Sequence, residues 1–181
     1  MKTNQKESRG LQPGKEQADT PHNWKIRGLH LVLCLILLLL DQITKIWARG
    51  TLKTGGKITA LPKLLSFEYL ENDGAVWGIF GGKTVFLLIF TVLTLAAVIW
   101  FYFKVPMARR YLPVRLILVF ITAGALGNII DRFIFGYVTD FLKFEFIQFP
   151  TFNVADIYIT VSVFVSILLV LFVYREELKE E

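Results

Sequence analysis

Four stretches of this chain, at about residues 29–47, 84–103, 112–130 and 157–174, are each long and apolar enough to cross a bilayer. A hydrocarbon core roughly 30 Å thick takes about 20 mostly apolar residues as a helix. Inside that core only helices and closed barrels satisfy their own backbone groups, so helices are the expectation. Four such stretches in 181 residues leave little chain for a soluble core. Composition agrees: 54% of residues are hydrophobic, 19% are charged, and mean hydropathy is +0.53. Soluble domains are not built this way. The chain reads as an all-α membrane protein with four transmembrane helices.

The formal net charge of +5 does not point to nucleic acid. Its basic residues flank the spans and form no aromatic-interleaved patch, so no nucleic-acid partner is expected. Lys25 and Arg27 precede the first span, while Lys104, Arg109, Arg110 and Arg115 cluster around the second connection. By the positive-inside rule both regions are cytoplasmic, and four spans return the C-terminus to the same side. Arg49, Lys53, Lys57 and Lys63 in the first outer segment weigh against this. The first apolar stretch, Leu29 to Leu40, is as short as a signal peptide's, but it continues into Asp41-Gln42-Ile43-Thr44-Lys45 with no small-residue cleavage site. A retained helix is expected. Residues 1–25 read as a disordered cytoplasmic tail, 26–174 as the membrane domain and 175–181 as a second cytoplasmic tail. Cys34, the single cysteine, lies within a span and reads as packing.

The outer segments carry their own patterns. Leu65-Ser66-Phe67-Glu68-Tyr69-Leu70-Glu71-Asn72 is rich in strand formers and leads into Gly74, Gly78, Gly81 and Gly82, which predicts one or two strands with tight turns. Phe133, Phe135, Tyr137, Phe141, Phe144, Phe146 and Phe149 crowd the second outer segment, a density that suits the headgroup belt. A small β-rich platform on the outer side of the bundle follows.

Alternating topology gathers the polar residues. Asp41, Gln42 and Lys45 end the first span, Asn128, Asp131 and Arg132 end the third, and Asn153 and Asp156 open the fourth. Asn72 and Asp140 come from the two outer connections, so all of these can meet in one layer. Structural readings exist for most. Asp41 and Lys45 have the i,i+4 spacing of a helix ion pair. Asp131 and Arg132 could mark a water boundary, Asn128 could bind helices together beside Gly124, Ala125 and Gly127, and Asn153 could cap the fourth helix with Asp156 at N3. None explains Asp140, which shares the apolar face of a predicted strand with Val138, Leu142 and Phe144. Other chemistries lack parts. His22 and His30 lie far from this layer, leaving no base for a serine or cysteine nucleophile and no histidine for zinc. Two carboxylates sharing a proton and a water remain the simplest chemistry available.

These residues also fall into a known pattern. Asp41-Gln42-Ile43-Thr44-Lys45, Asn72-Asp73-Gly74-Ala75-Val76-Trp77-Gly78, Gly127-Asn128-Ile129-Ile130-Asp131-Arg132, Val138-Thr139-Asp140-Phe141 and Phe152-Asn153-Val154-Ala155-Asp156 occur in order at the corresponding ends of four spans. In this the chain resembles the lipoprotein signal peptidases (signal peptidase II), bacterial membrane aspartyl proteases. The resemblance implies an endopeptidase that cuts prolipoproteins before a diacylglyceryl-modified cysteine. It implies Asp140 and Asp156 as the catalytic dyad, with Asp41, Lys45, Asn72, Gly74, Asn128, Asp131, Arg132 and Asn153 supporting it or binding substrate. Thr139 departs from the pattern, where an aliphatic residue more often precedes the aspartate. The protein is expected in the bacterial inner membrane with its active site at the outer face, as a monomer that contacts lipidated prolipoprotein and membrane lipids and uses no metal or cofactor. The rival is a small ion or solute transporter, whose acids ordinarily sit near the midplane on broken helices rather than at one surface. A non-catalytic scaffold would have no use for Asp140 on an apolar face.

Overall fold

The computed structural model describes residues 21–74 and 82–173. The polar segment 1–20, the turn glycines Gly78 and Gly81, and the C-terminal residues 174–181 lie outside the described residues. Four helices, α1 (Pro21–Gly55), α2 (Thr84–Lys104), α3 (Leu112–Phe135) and α4 (Val154–Phe172), are each long and apolar enough to cross a membrane. Three strands, β1 (Ile58–Leu61), β2 (Leu65–Asn72) and β3 (Val138–Phe144), form an antiparallel sheet in the order β1-β2-β3. Large apolar side chains are exposed along all four spans, among them Leu39, Phe90, Phe133 and Phe164. That is the surface of a bundle solvated by hydrocarbon.

Helix α1 has 35 residues, ~52 Å at 1.5 Å per residue, and so outlasts the hydrocarbon core. It starts at Pro21, so the last residues of the segment read as a disordered tail are helical. Proline at a first helical position lacks only an N–H that would have no partner there. Apolar patterning marks the part of a helix inside lipid and is silent on polar turns beyond it. For the same reason Arg49 and Lys53 stand on α1 and not in a connection. The last turns of α1 carry the sheet: Ala48 and Leu52 are buried against Phe141 and Leu142 of β3, and Trp47 meets Phe67 edge-on with ring centroids 5.2 Å apart.

Helix α3 is the most enclosed span, with α1, α2 and α4 packed around it. Its small residues make that possible. A Cβ on Gly124 would lie 2.6 Å from the Ala155 carbonyl oxygen and 2.8 Å from Ile159 Cγ1. A Cβ on Gly127 would strike the Asp41 carboxylate and come within 3.5 Å of Ala155 Cβ. α3 runs on to Phe135 and stops at Gly136, whose φ of +80° is the left-handed conformation that closes helices. Phe133 and Phe135 therefore belong to the helix and not to the aromatic segment after it.

Candidate active site

Asp140 stands in mid-strand on β3, 1% exposed, on the face that also presents Val138 and Phe144 to a cleft. Asp156 reaches the same cleft because the chain doubles back. Leu142 and Phe152 exchange backbone hydrogen bonds, with N–H to carbonyl distances of 2.8 and 2.9 Å, one residue before α4 is capped. Asn153 is that cap: its Oδ1 accepts the Asp156 N–H at 3.1 Å, while Asp156 Oδ2 accepts the Asn153 N–H at 3.1 Å. The capping box thus fixes Asp156 in the first turn, where carboxylates favour the helix dipole.

Amides join the two aspartates. Asn153 Nδ2 donates to Asp140 Oδ1 at 2.6 Å and to Asn128 Oδ1 at 3.3 Å. Asn128 Nδ2 donates to Asp156 Oδ1 at 2.9 Å, and Asn72 Nδ2 to Asp140 Oδ2 at 2.8 Å. The Gly74 N–H holds Asn72 Oδ1 at 3.0 Å, and the Gly74 carbonyl accepts from Arg132 at 3.2 Å.

Beneath lies a buried ion cluster. Lys45 Nζ meets Asp41 Oδ2 at 3.0 Å, Asn128 Oδ1 at 2.9 Å and Asp131 Oδ2 at 3.7 Å, with Asp41, Lys45 and Asp131 all fully enclosed. The two acids then do parallel work. Asp41 Oδ1 accepts the N–H of Ala155, the residue before Asp156, at 3.0 Å. Asp131 Oδ2 accepts the N–H of Thr139, the residue before Asp140, at 2.9 Å. Each candidate catalytic carboxyl is therefore held through the backbone next to it by an aspartate from a different helix. A buried ion pair is a weak source of stability, so its value lies in the geometry it fixes. The ten residues read from sequence, Asp41, Lys45, Asn72, Gly74, Asn128, Asp131, Arg132, Asp140, Asn153 and Asp156, all come together here. His30 pairs with the Tyr102 hydroxyl at 2.8 Å, away from this cluster.

Sequence reasoning missed Arg49. Its guanidinium donates to Thr139 Oγ1 at 2.7 Å, approaches Asp131 Oδ1 at 3.5 Å and lies 4.4 Å from the centroid of the Phe135 ring. Its signal was the continuation of one helix face from Asp41 through Lys45 in steps of four. Thr139, the departure from the family pattern, is a fully buried acceptor for that arginine.

The cleft has a volume of about 420 Å³. Asn72, Asn128, Arg132 and the two aspartates form its polar wall, and Phe144, Phe149, Phe152, Ile157 and Val161 an apolar one. Phe144 and Phe152 pack with ring centroids 5.0 Å apart. Burial, and then the neighbouring Asp156, push the Asp140 carboxyl up to about 7, against weaker opposing pulls from Asn72, Asn153 and Lys45. Two carboxyls that share a cleft, one of them holding its proton to near neutral pH, have the chemistry to act as an acid/base pair. Among the described residues no group of three or more His, Cys, Asp or Glu is arranged to hold a metal ion.

A sequence profile of the family described as signal peptidase (SPase) II matches residues 33–172. The chain belongs to the signal peptidase II family. It is 39% identical over 151 residues to a lipoprotein signal peptidase of Clostridium novyi (strain NT), covering 82% of this chain and 99% of that one. It is 41% identical over 143 residues to a lipoprotein signal peptidase of Lactococcus lactis subsp. lactis (strain IL1403), covering 77% and 93%. Two solved structures share its fold at 34% identity. One is a bacterial membrane enzyme determined in meso at 2.3 Å resolution, with a TM-score of 0.73 over 80% of this chain and 88% of that one. The other, at 1.9 Å, gives 0.72 over 81% and 94%. This signal peptidase II family member is accordingly a multi-pass membrane enzyme, an aspartic protease with a four-helix body and a three-stranded sheet.

Proposed function

We propose that the protein removes signal peptides from prolipoproteins, cutting before a diacylglyceryl-modified cysteine, with Asp140 and Asp156 as the catalytic pair. The observation that carries this is that one residue, Asn153, holds both carboxyls at the wall of an open cleft, its side-chain Nδ2 donating to Asp140 on the strand and its backbone N–H to Asp156 in the first turn of the helix. One carboxylate takes a proton from water, whose oxygen attacks the scissile carbonyl; the other, protonated, donates to the carbonyl oxygen as charge develops there. Arg132, Asn72 and Asn128 line the cleft within reach of a bound peptide backbone, and the aromatic wall suits acyl chains. Membrane lipid is then part of the site's surroundings, and the monomer holds every residue invoked.

The enzyme resides in the bacterial inner membrane with both termini cytoplasmic and the cleft at the outer face. Support comes from Lys25, Arg27, Lys104, Arg109 and Arg110 at the end away from the sheet, and from the retention of Arg49 and Arg132 inside the site at the sheet end. The relatives give the transporter reading no support. The test is cleavage of a lipidated prolipoprotein by purified protein in detergent, followed by its size shift. Intact substrate after long incubation with folded enzyme refutes the proposal.

A further inference from the structure

We infer that the two aspartates have fixed and different roles: Asp156 is the ionised base that activates water, and Asp140 is the protonated acid. This rests on the dyad reading above. Three features of the site separate the two carboxyls.

The first is what stands behind each hydrogen bond. Lysine has donors only, so its contact at 2.9 Å must be with the carbonyl oxygen of Asn128. That choice turns Asn128 Nδ2 toward Asp156 as a donor polarised by a buried ammonium. Asp156 Oδ2 takes a backbone N–H at the positive end of a 19-residue helix. Asp140 sits on a strand, which lacks such a dipole, and receives two neutral side-chain amides. The second is exposure: Asp140 is sealed, whereas Asp156 is partly open to the cleft from which water must come. The third is charge balance. The charged groups beside and beneath the pair are Asp41, Lys45 and Arg49 from α1 and Asp131 and Arg132 from α3. Counted at formal charge together with both aspartates of the dyad, these are four acids and three cations, a set that balances when one proton is kept. Burial of Asp140 places that proton.

In the step that follows, Asp156 accepts a proton from water as the water oxygen bonds to the scissile carbon. The proton of Asp140 passes to the carbonyl oxygen, giving a neutral tetrahedral diol. On collapse the Asp156 proton goes to the leaving nitrogen as the C–N bond breaks, and a diol proton returns to Asp140. Both carboxyls end as they began.

The roles make separable predictions in the pH profile of kcat/KM. The basic limb reports loss of the Asp140 proton. Asn72→Ala, which removes a donor from the Asp140 carboxyl, should raise that limb. Asn128→Ala, which removes the donor to Asp156 and leaves the Asp41–Lys45–Asp131 cluster paired, should lower kcat and leave the basic limb in place. A basic limb that moves in Asn128→Ala and stays in Asn72→Ala overturns the assignment. Infrared spectra of aspartate-labelled protein decide it even where these variants fold poorly. The protonated-carboxyl band at about pH 6 should vanish in Asp140→Asn and persist in Asp156→Asn; the opposite pattern, or a band in both, overturns it. Turnover by either Asp→Asn variant instead brings down the dyad itself, so the two failures are distinguishable.

Discussion

Asn153→Ser separates the two jobs of the residue that joins the dyad. The native side chain caps α4 through Oδ1 and donates through Nδ2 to Asp140 at 2.6 Å and Asn128 at 3.3 Å. Serine caps helices about as well as asparagine, so its hydroxyl keeps the bond to the Asp156 N–H. It is too short to reach Asp140 and carries no second donor. A hydrogen bond to a charged or charge-developing carboxyl contributes about 1.5–3 kcal/mol, which corresponds to a fall in kcat of roughly 10- to 150-fold. Asn153→Ala should lose a similar share of kcat and, with the cap gone, about 1 kcal/mol more stability than the serine variant. The assay is turnover of lipidated prolipoprotein in detergent alongside thermal unfolding of each variant. A serine variant retaining half or more of wild-type kcat would show that the bond to Asp140 is incidental to catalysis. Serine and alanine variants of equal stability would remove the cap from the account.

Asp140→Asn and Asp156→Asn should each leave a folded, membrane-inserted protein with less than roughly a thousandth of wild-type cleavage, measured by substrate size shift. With the Asp140 carboxyl raised from 3.8 to about 7, the folded state holds its proton more tightly than the unfolded chain. Its contribution therefore lowers stability as pH climbs from about 4 to 7, and kcat/KM falls above about 7 as the acid is lost; a flat profile from pH 6 to 9 contradicts this. Exhaustive chelation should leave activity intact, because the site's acids are committed to Lys45, the backbone and each other; specific recovery on metal add-back would show otherwise. Unlipidated substrate should lose several orders of magnitude in kcat/KM in the same detergent, since buried acyl chain contributes about 0.8 kcal/mol per CH₂; equal values for the two forms would sink the acyl-binding role of the cleft.

The spans were legible because lipid imposes a length and a polarity on whatever crosses it, and the platform because Leu65–Asn72 is rich in strand formers and runs into turn glycines. Helix ends were not. Pro21, Arg49, Lys53, Phe133 and Phe135 are helical although the apolar runs stop short of them, since the backbone hydrogen-bond ladder continues where the lipid-facing pattern ends. The return of Phe152 onto Leu142 was equally hidden. It is a backbone pairing, indifferent to side-chain type, and it is what brings the α4 cap beside β3.

The site shows the same division more sharply. Costly polar residues near lipid announce themselves, so the members of the layer could be named from their types and their places at span ends. Which atoms they hold could not. Asp41 and Asp131 read as a helix ion pair and a boundary charge, yet in the fold each takes the backbone N–H one residue before a candidate catalytic aspartate. A hydrogen bond to a backbone amide leaves no trace in the identity of the residue that donates it, which is why nothing in Ala155 or Thr139 pointed to these two bonds. Gly127 shows how such a bond constrains sequence indirectly. Its missing side chain is the space Asp41 occupies on the way to Ala155, so glycine there is set by a carboxylate on one helix holding the amide of another. Arg49 follows from the same logic. Once Asp131 is committed to Lys45 and Thr139, its second oxygen still faces a closed interior, and a cation one helical turn beyond Lys45 is the nearest group able to answer it.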